Sequence, residues 1–134
     1  MVLRFEYPAT GQEFHARPNQ EAAEEYREVF LSHSKLYVVA DKYGIDLLAK
    51  QVVHNLSTTL TSFTLHQNRV QDILSLVKHV FRNTRSNDDL RSMLVHYCAC
   101  TIEDMSMNAS FQDFLEDFPE FSAALVAKMI ERLD

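Results

Sequence analysis

Between Pro18 and Pro119 the chain runs about a hundred residues with one glycine, Gly44, and no proline. A β architecture turns every few residues and needs glycine, proline or asparagine at those turns, so this shortage argues against one. A glycine-rich phosphate loop is disfavoured for the same reason. Hydrophobic residues make up 46% of the sequence, enough to bury one core in 134 residues. The expected fold is all-α, a compact bundle of about six or seven helices in a single domain, residues 1–134.

Gly44 itself is informative. The stretch LYVVADKYGIDLLAK, Leu36 to Lys50, reads as a helix end, a glycine and a helix start. Glycine takes the left-handed conformation after a last turn, and Ile45 is expected to fold back onto that turn. Asp46 is expected to cap the next helix, with Leu48, Val52, Leu56 and Leu60 on its inner face.

The remaining elements follow from spacing. Asn19 is placed to cap a helix whose first turns carry Glu21, Glu24 and Glu25. Tyr26, Val29, Phe30, Leu36, Tyr37 and Ala40 form an apolar stripe, and Ser32, His33 and Ser34 predict a break within it. The run from Ser57 to Thr64 is expected to end the following helix, and Thr64 with Gln67 has capping-box spacing. Val70, Ile73, Leu74, Val77 and Phe81 make a clean stripe. Ser86 or Asn87 is the expected cap of a further helix bearing Leu90, Leu94, Tyr97, Cys98, Ile102 and Met105. Ser110 opens a short element with Phe111, Phe114, Leu115 and Phe118. Pro119 suits the first position of a last helix with Phe121, Leu125, Met129 and Leu133.

The formal net charge is −6 and the pI near 5.4, with basic residues scattered, which argues against direct nucleic-acid binding, helix-turn-helix proteins included. No apolar run is long enough to cross a bilayer and the N-terminus lacks a signal-peptide core, so no membrane role is expected. Cys98 and Cys100 are too close to staple a fold and point to different sides of a helix. These features read as an intracellular chain, nuclear or cytoplasmic.

Chemistry is hinted at only in HYCAC, where His96 and Cys100 stand four apart on one helix face. A structural zinc takes about four ligands, and no second pair stands at useful spacing. A small metal-binding or thiol-based protein using His96 and Cys100 is therefore the alternative reading. The other histidines are scattered, and none completes a zinc-hydrolase pattern. Asp88/Asp89 and Glu116/Asp117 sit near helix ends, where carboxylates serve as caps or solvated charges. Phe111, Phe114, Phe118 and Phe121 anchor the last helices on the core in the plainer reading, and line a partner groove in the sharper one.

The segment SHSKLYVVADKYGIDLLAKQVV resembles a stretch of fungal BTB/POZ-domain proteins, carried by His33, Tyr37, Ala40, Asp41, Lys42, Tyr43, Ile45 and Leu48. VLRFEYPATGQEF, ILSLVKHVFRNTRSNDDLRSMLVHYC and FLEDFPEFSAALV are similar to flanking segments of that family, in the same order. Residues 1–63 thus resemble the end of a BTB/POZ domain, and residues 64–134 its helical, BACK-like C-terminal extension. The family's N-terminal half, with its sheet and main dimerisation helix, has no counterpart in this sequence, so homodimerisation through that half is not carried over. The resemblance implies a non-enzymatic adaptor with no cofactor. It would bind a partner chain, or itself, through an apolar helical surface. Cullin-type ubiquitin ligases and transcription or chromatin complexes are the implied partner classes. Leu3, Phe5, Tyr7, Phe14 and Phe30 are the expected partner-binding patch, since the surface they would otherwise pack against is lacking.

Overall fold

Gly44 takes φ +68°, the left-handed region that glycine enters without penalty. Its N–H donates to the Asp41 carbonyl at 3.2 Å, and the Ile45 N–H donates to the Ala40 carbonyl at 2.9 Å. Those paired bonds are a Schellman closure. The Ile45 carbonyl then accepts from Ala49 N–H at 3.0 Å, so Ile45 rather than Asp46 stands at the capping position. Asp46 is the first helical residue, its carboxylate in the positive first turn.

In this computed structural model residues 26–62 and 69–131 are described, and they form seven α-helices and no strand. They are α1 (Tyr26–Lys42), α2 (Asp46–Ser62), α3 (Val70–Asn83), α4 (Asp89–Cys100), α5 (Ile102–Ser106), α6 (Ala109–Asp117) and α7 (Pro119–Glu131). The all-α expectation holds. The capping pair Thr64/Gln67, the cap Asn19 and the 63/64 boundary fall outside the described residues.

α1 packs on α2 and α3, while α7 lies against α4 and α6 at the far side. α4 joins the two groups by touching α2, α3 and α7. One hydrophobic cluster takes residues from every helix, among them Phe30, Leu56, Ile73, Leu94, Met105, Phe111 and Phe121. Each such side chain contributes roughly 1.5–3 kcal/mol by leaving water. α3 is the tidiest element: all five of its predicted apolar positions are buried, with Leu76 and Val80 beside them.

Several sequence expectations are corrected. α1 does not break at Ser32–Ser34. Ser32 donates its hydroxyl to the Glu28 carbonyl at 2.8 Å, and Ser34 is buried against His79 Nδ1 at 2.6 Å. α2 continues through Thr58, Thr59 and Thr61, each donating to the carbonyl four residues back, and its last described residue, Ser62, lies within the Ser57–Thr64 run expected to end it. α4 is capped by Asp88, not Ser86 or Asn87, and α6 by Asn108, with Ala109 before Ser110. The stripe from Leu90 to Met105 is divided at Thr101, where α4 ends and α5 begins.

Candidate functional site

Three places gather side chains that could do something beyond packing. The first is a cleft of about 960 Å³ where the end of α1, the start of α2 and the α3–α4 loop meet. Asp41, Asp46, Asp88 and Asp89 line it with Lys50 and Arg85, and among the described residues neither histidine nor cysteine does. Both Asp88 oxygens are engaged. Oδ2 accepts from the Leu90 and Arg91 N–H groups at 2.9 and 3.2 Å, and Oδ1 accepts from the Tyr37 hydroxyl at 2.8 Å. Burial, then the Asp88 bond, pushes the Tyr37 hydroxyl far above its ordinary value, so it stays protonated. The carboxylates here cap helices or face solvent, as their positions near helix ends lead one to expect.

The second place pairs possible nucleophiles with histidines. Ser34 Oγ lies 2.6 Å from His79 Nδ1, a distance suited to a serine–histidine pair. Yet Ser34 has no exposed surface, so no substrate atom can reach it. Desolvation, aided by Lys35, holds His79 below the ordinary imidazole value. The pair ties α1 to α3. His96 Nε2 and Cys100 Sγ are 3.9 Å apart on α4, so the helix does bring them together. No group of three or more metal-ligating side chains forms among the described residues. Burial lifts the neighbouring Cys98 thiol to about 12, leaving almost no thiolate at neutral pH.

The third place is the outside of α1. Val29, Leu36 and Val39 are between 41% and 47% exposed, Tyr43 is 68% exposed, and just past the turn Leu47 is 84% exposed with Ile45 beside it. The sequence reads Val29 and Leu36 as one stripe with Tyr26, Phe30, Tyr37 and Ala40. The structure separates two rows, one facing α2 and α3, the other facing outward. One residue is a rotation of about 100° on a helix, so Val29 and Phe30 cannot serve the same face. Tyr43, in the turn just after α1, continues the outer row.

That geometry corrects part of the predicted patch. Phe30 has no exposed surface and packs on Tyr26 in the core, the rings tilted 41° with centroids 5.8 Å apart. It cannot present itself to a partner. Leu3, Phe5, Tyr7 and Phe14 lie outside the described residues. The phenylalanines of α6 and α7 follow the plainer reading: Phe111 and Phe121 are fully buried, and Phe114 stacks on Phe118 at 4.7 Å and meets Phe121 edge-on. The outer row of α1 was missed because a stripe drawn without neighbours cannot say which flank they cover. Its signal was present in the extra apolar residues, since α1 carries more than one face can bury.

One buried cation completes the survey. Arg91 on α4 donates to the Phe81 carbonyl at 3.0 Å, to Thr84 Oγ1 at 3.2 Å, to the Thr84 carbonyl and to Glu120 on α7. Its guanidinium also lies 4.2 Å from the Phe81 ring centroid. The group is a structural tie, with four of its five N–H donors engaged by protein acceptors. Among the described residues no helix is long and apolar enough to cross a membrane. No family model, curated protein or solved structure matches this chain.

Proposed function

We propose that this chain is a non-enzymatic protein–protein interaction module that binds through an apolar helical surface. The outward row of α1 and the corner after it, Val29, Leu36, Val39, Tyr43, Ile45 and Leu47, support this reading. Large apolar residues scattered singly over a surface need no explanation, but a contiguous row along one helix marks an interaction site. The resemblance to fungal BTB/POZ-domain proteins points the same way and adds the partner classes, a cullin-type ligase scaffold or a transcription or chromatin complex. Its most specific segment, the one around ADKY, contains Leu36, Val39, Tyr43, Ile45 and Leu47.

The test compares affinity purification of the wild-type chain with that of a folded Leu36→Asp/Leu47→Asp variant from a fungal extract. The expected result is a defined set of proteins held by the wild type and lost from the variant. Equal recovery by both chains would sink the reading. A purified cullin-type scaffold, titrated against both chains, tests the narrower partner directly. The His96/Cys100 alternative gains no support from this surface, and zinc content of the purified chain decides it independently.

A further inference from the structure

Building on the interaction-module reading, we propose that the outward row of α1 is where two copies of this chain associate, their α1 helices antiparallel across a two-fold axis. Val29, Ser32, Leu36, Val39 and Tyr43 recur at alternating spacings of three and four, the spacing of a seam between two helices. Ser32 fits the seam because its hydroxyl already donates to the Glu28 carbonyl at 2.8 Å and brings no unsatisfied group to it.

The charges beside the seam choose the occupant and the direction. One edge carries Glu28, Lys35 and Lys42, all exposed. The other edge carries His33 and Ala40, which turn toward the chain's own core. A parallel pair would set each charged edge against that uncharged one and gain nothing. An antiparallel pair sets the charged edge against itself, so Glu28 of each copy meets Lys42 of the other, with the two Lys35 side chains splayed beside the axis. An acid at one end and a base at the other make the edge complementary to its own reverse, as a two-fold interface requires. Opposed helix dipoles favour the same direction. In this register Val29 lies over Val39 of the second copy, and Leu36 fills the space above its small Ser32.

A contact confined to one pair of 17-residue helices falls below the roughly 1,200 Å² of standard stable interfaces, so the dimer is a micromolar, reversible one. It shares no surface with the sheet half of the BTB/POZ family.

The experiment is sedimentation velocity of the full chain from roughly 1 to 500 μM, bracketing a micromolar constant. The expected result is a concentration-dependent rise from the mass of one chain to that of two. Leu36→Asp, counted twice per dimer, should weaken association about a hundredfold, with unchanged circular dichroism. Val39→Lys repeats the test at a second seam position, so a folding defect in one variant does not leave the question open. Glu28→Lys should weaken association about fivefold, and adding Lys42→Glu should restore it, since the swapped edge is again complementary. A monomer at every concentration overturns the second copy as occupant while leaving the module reading to the purification above. A dimer indifferent to Leu36→Asp and Val39→Lys, or a double charge variant no stronger than Glu28→Lys alone, overturns the proposed contact.

Discussion

α1 and α3 are neighbours of similar length with similar numbers of apolar residues, yet they use them differently. α3 buries Val70, Ile73, Leu74, Leu76, Val77, Val80 and Phe81, leaving its polar residues to the outside. α1 buries Tyr26, Phe30, Tyr37 and Ala40 and leaves Val29, Leu36 and Val39 outside, with Tyr43 exposed just beyond its end. Their ends differ as well. α1 closes on itself at Gly44, whereas the last carbonyls of α3 depend on Arg91, a side chain from another helix. α3 is built for this fold alone; α1 carries apolar surface beyond what the fold uses.

The sharpest way to break that contrast is truncation in the two rows. Ile73→Ala should cost about 3 kcal/mol in urea unfolding, since the site is fully buried and closely packed. Next comes the tie at the end of α3. Arg91→Met should cost about 2 kcal/mol by leaving two carbonyls without their donor. Glu120→Gln should cost less than about 0.5 kcal/mol, because that carboxylate is 64% exposed. Equal losses would mean that the ion pair, not the carbonyl bonds, holds the junction. At the end of α1, Gly44→Ala should cost about 1 kcal/mol by thermal melting. An added Cβ meets nothing within 4 Å there, so the penalty comes from the backbone angle alone.

Between the two helices stands the Ser34–His79 bond, and it makes their contact sensitive to pH. Burial holds His33 and His79 below the ordinary imidazole value, with Lys35 adding to the effect on His79. The unfolded chain therefore takes up protons near pH 6.5 that the fold resists. This contribution is complete above that pH and declines as the pH falls toward the folded-state values. His79→Gln should flatten the decline, read as melting midpoints at about pH 7.5 and 5.5. An unaltered slope would assign the effect elsewhere. The smallest expected change is Leu36→Ser, within about 0.5 kcal/mol. A loss above 1 kcal/mol would mean that the outer row is covered within one chain.

The contrast also explains what could be read in advance. Gly44 and the α3 row were legible because their signals are local: a left-handed residue, and a period matched to one buried face. The supposed break at Ser32–Ser34 was not, because Ser34 is satisfied by His79, 45 residues away in sequence. The cap of α4 shifted from Ser86 or Asn87 to Asp88 since all three have capping chemistry, and only Asp88 also receives the Tyr37 hydroxyl. Phe30 was placed on the wrong side for a related reason. Aromatic character suggests contact, but the direction of contact is set by α2 and α3. The outer row of α1 was hidden by the inner one, two periodic signals of the same kind, out of phase on one helix.

The first turn of α4 has a consequence for how the molecule opens. Asp88 receives Tyr37 from α1, and three residues later Arg91 grips the end of α3 and the start of α7. Three helices, α1, α3 and α7, are thus fastened to α4 at a single turn, where local fraying at one end would strain the fastening at the other. The amides of Leu90 and Arg91, which donate to Asp88, should then exchange their hydrogens only when the whole domain unfolds. A clasp of this kind predicts one common melting event for α1, α3, α4 and α7.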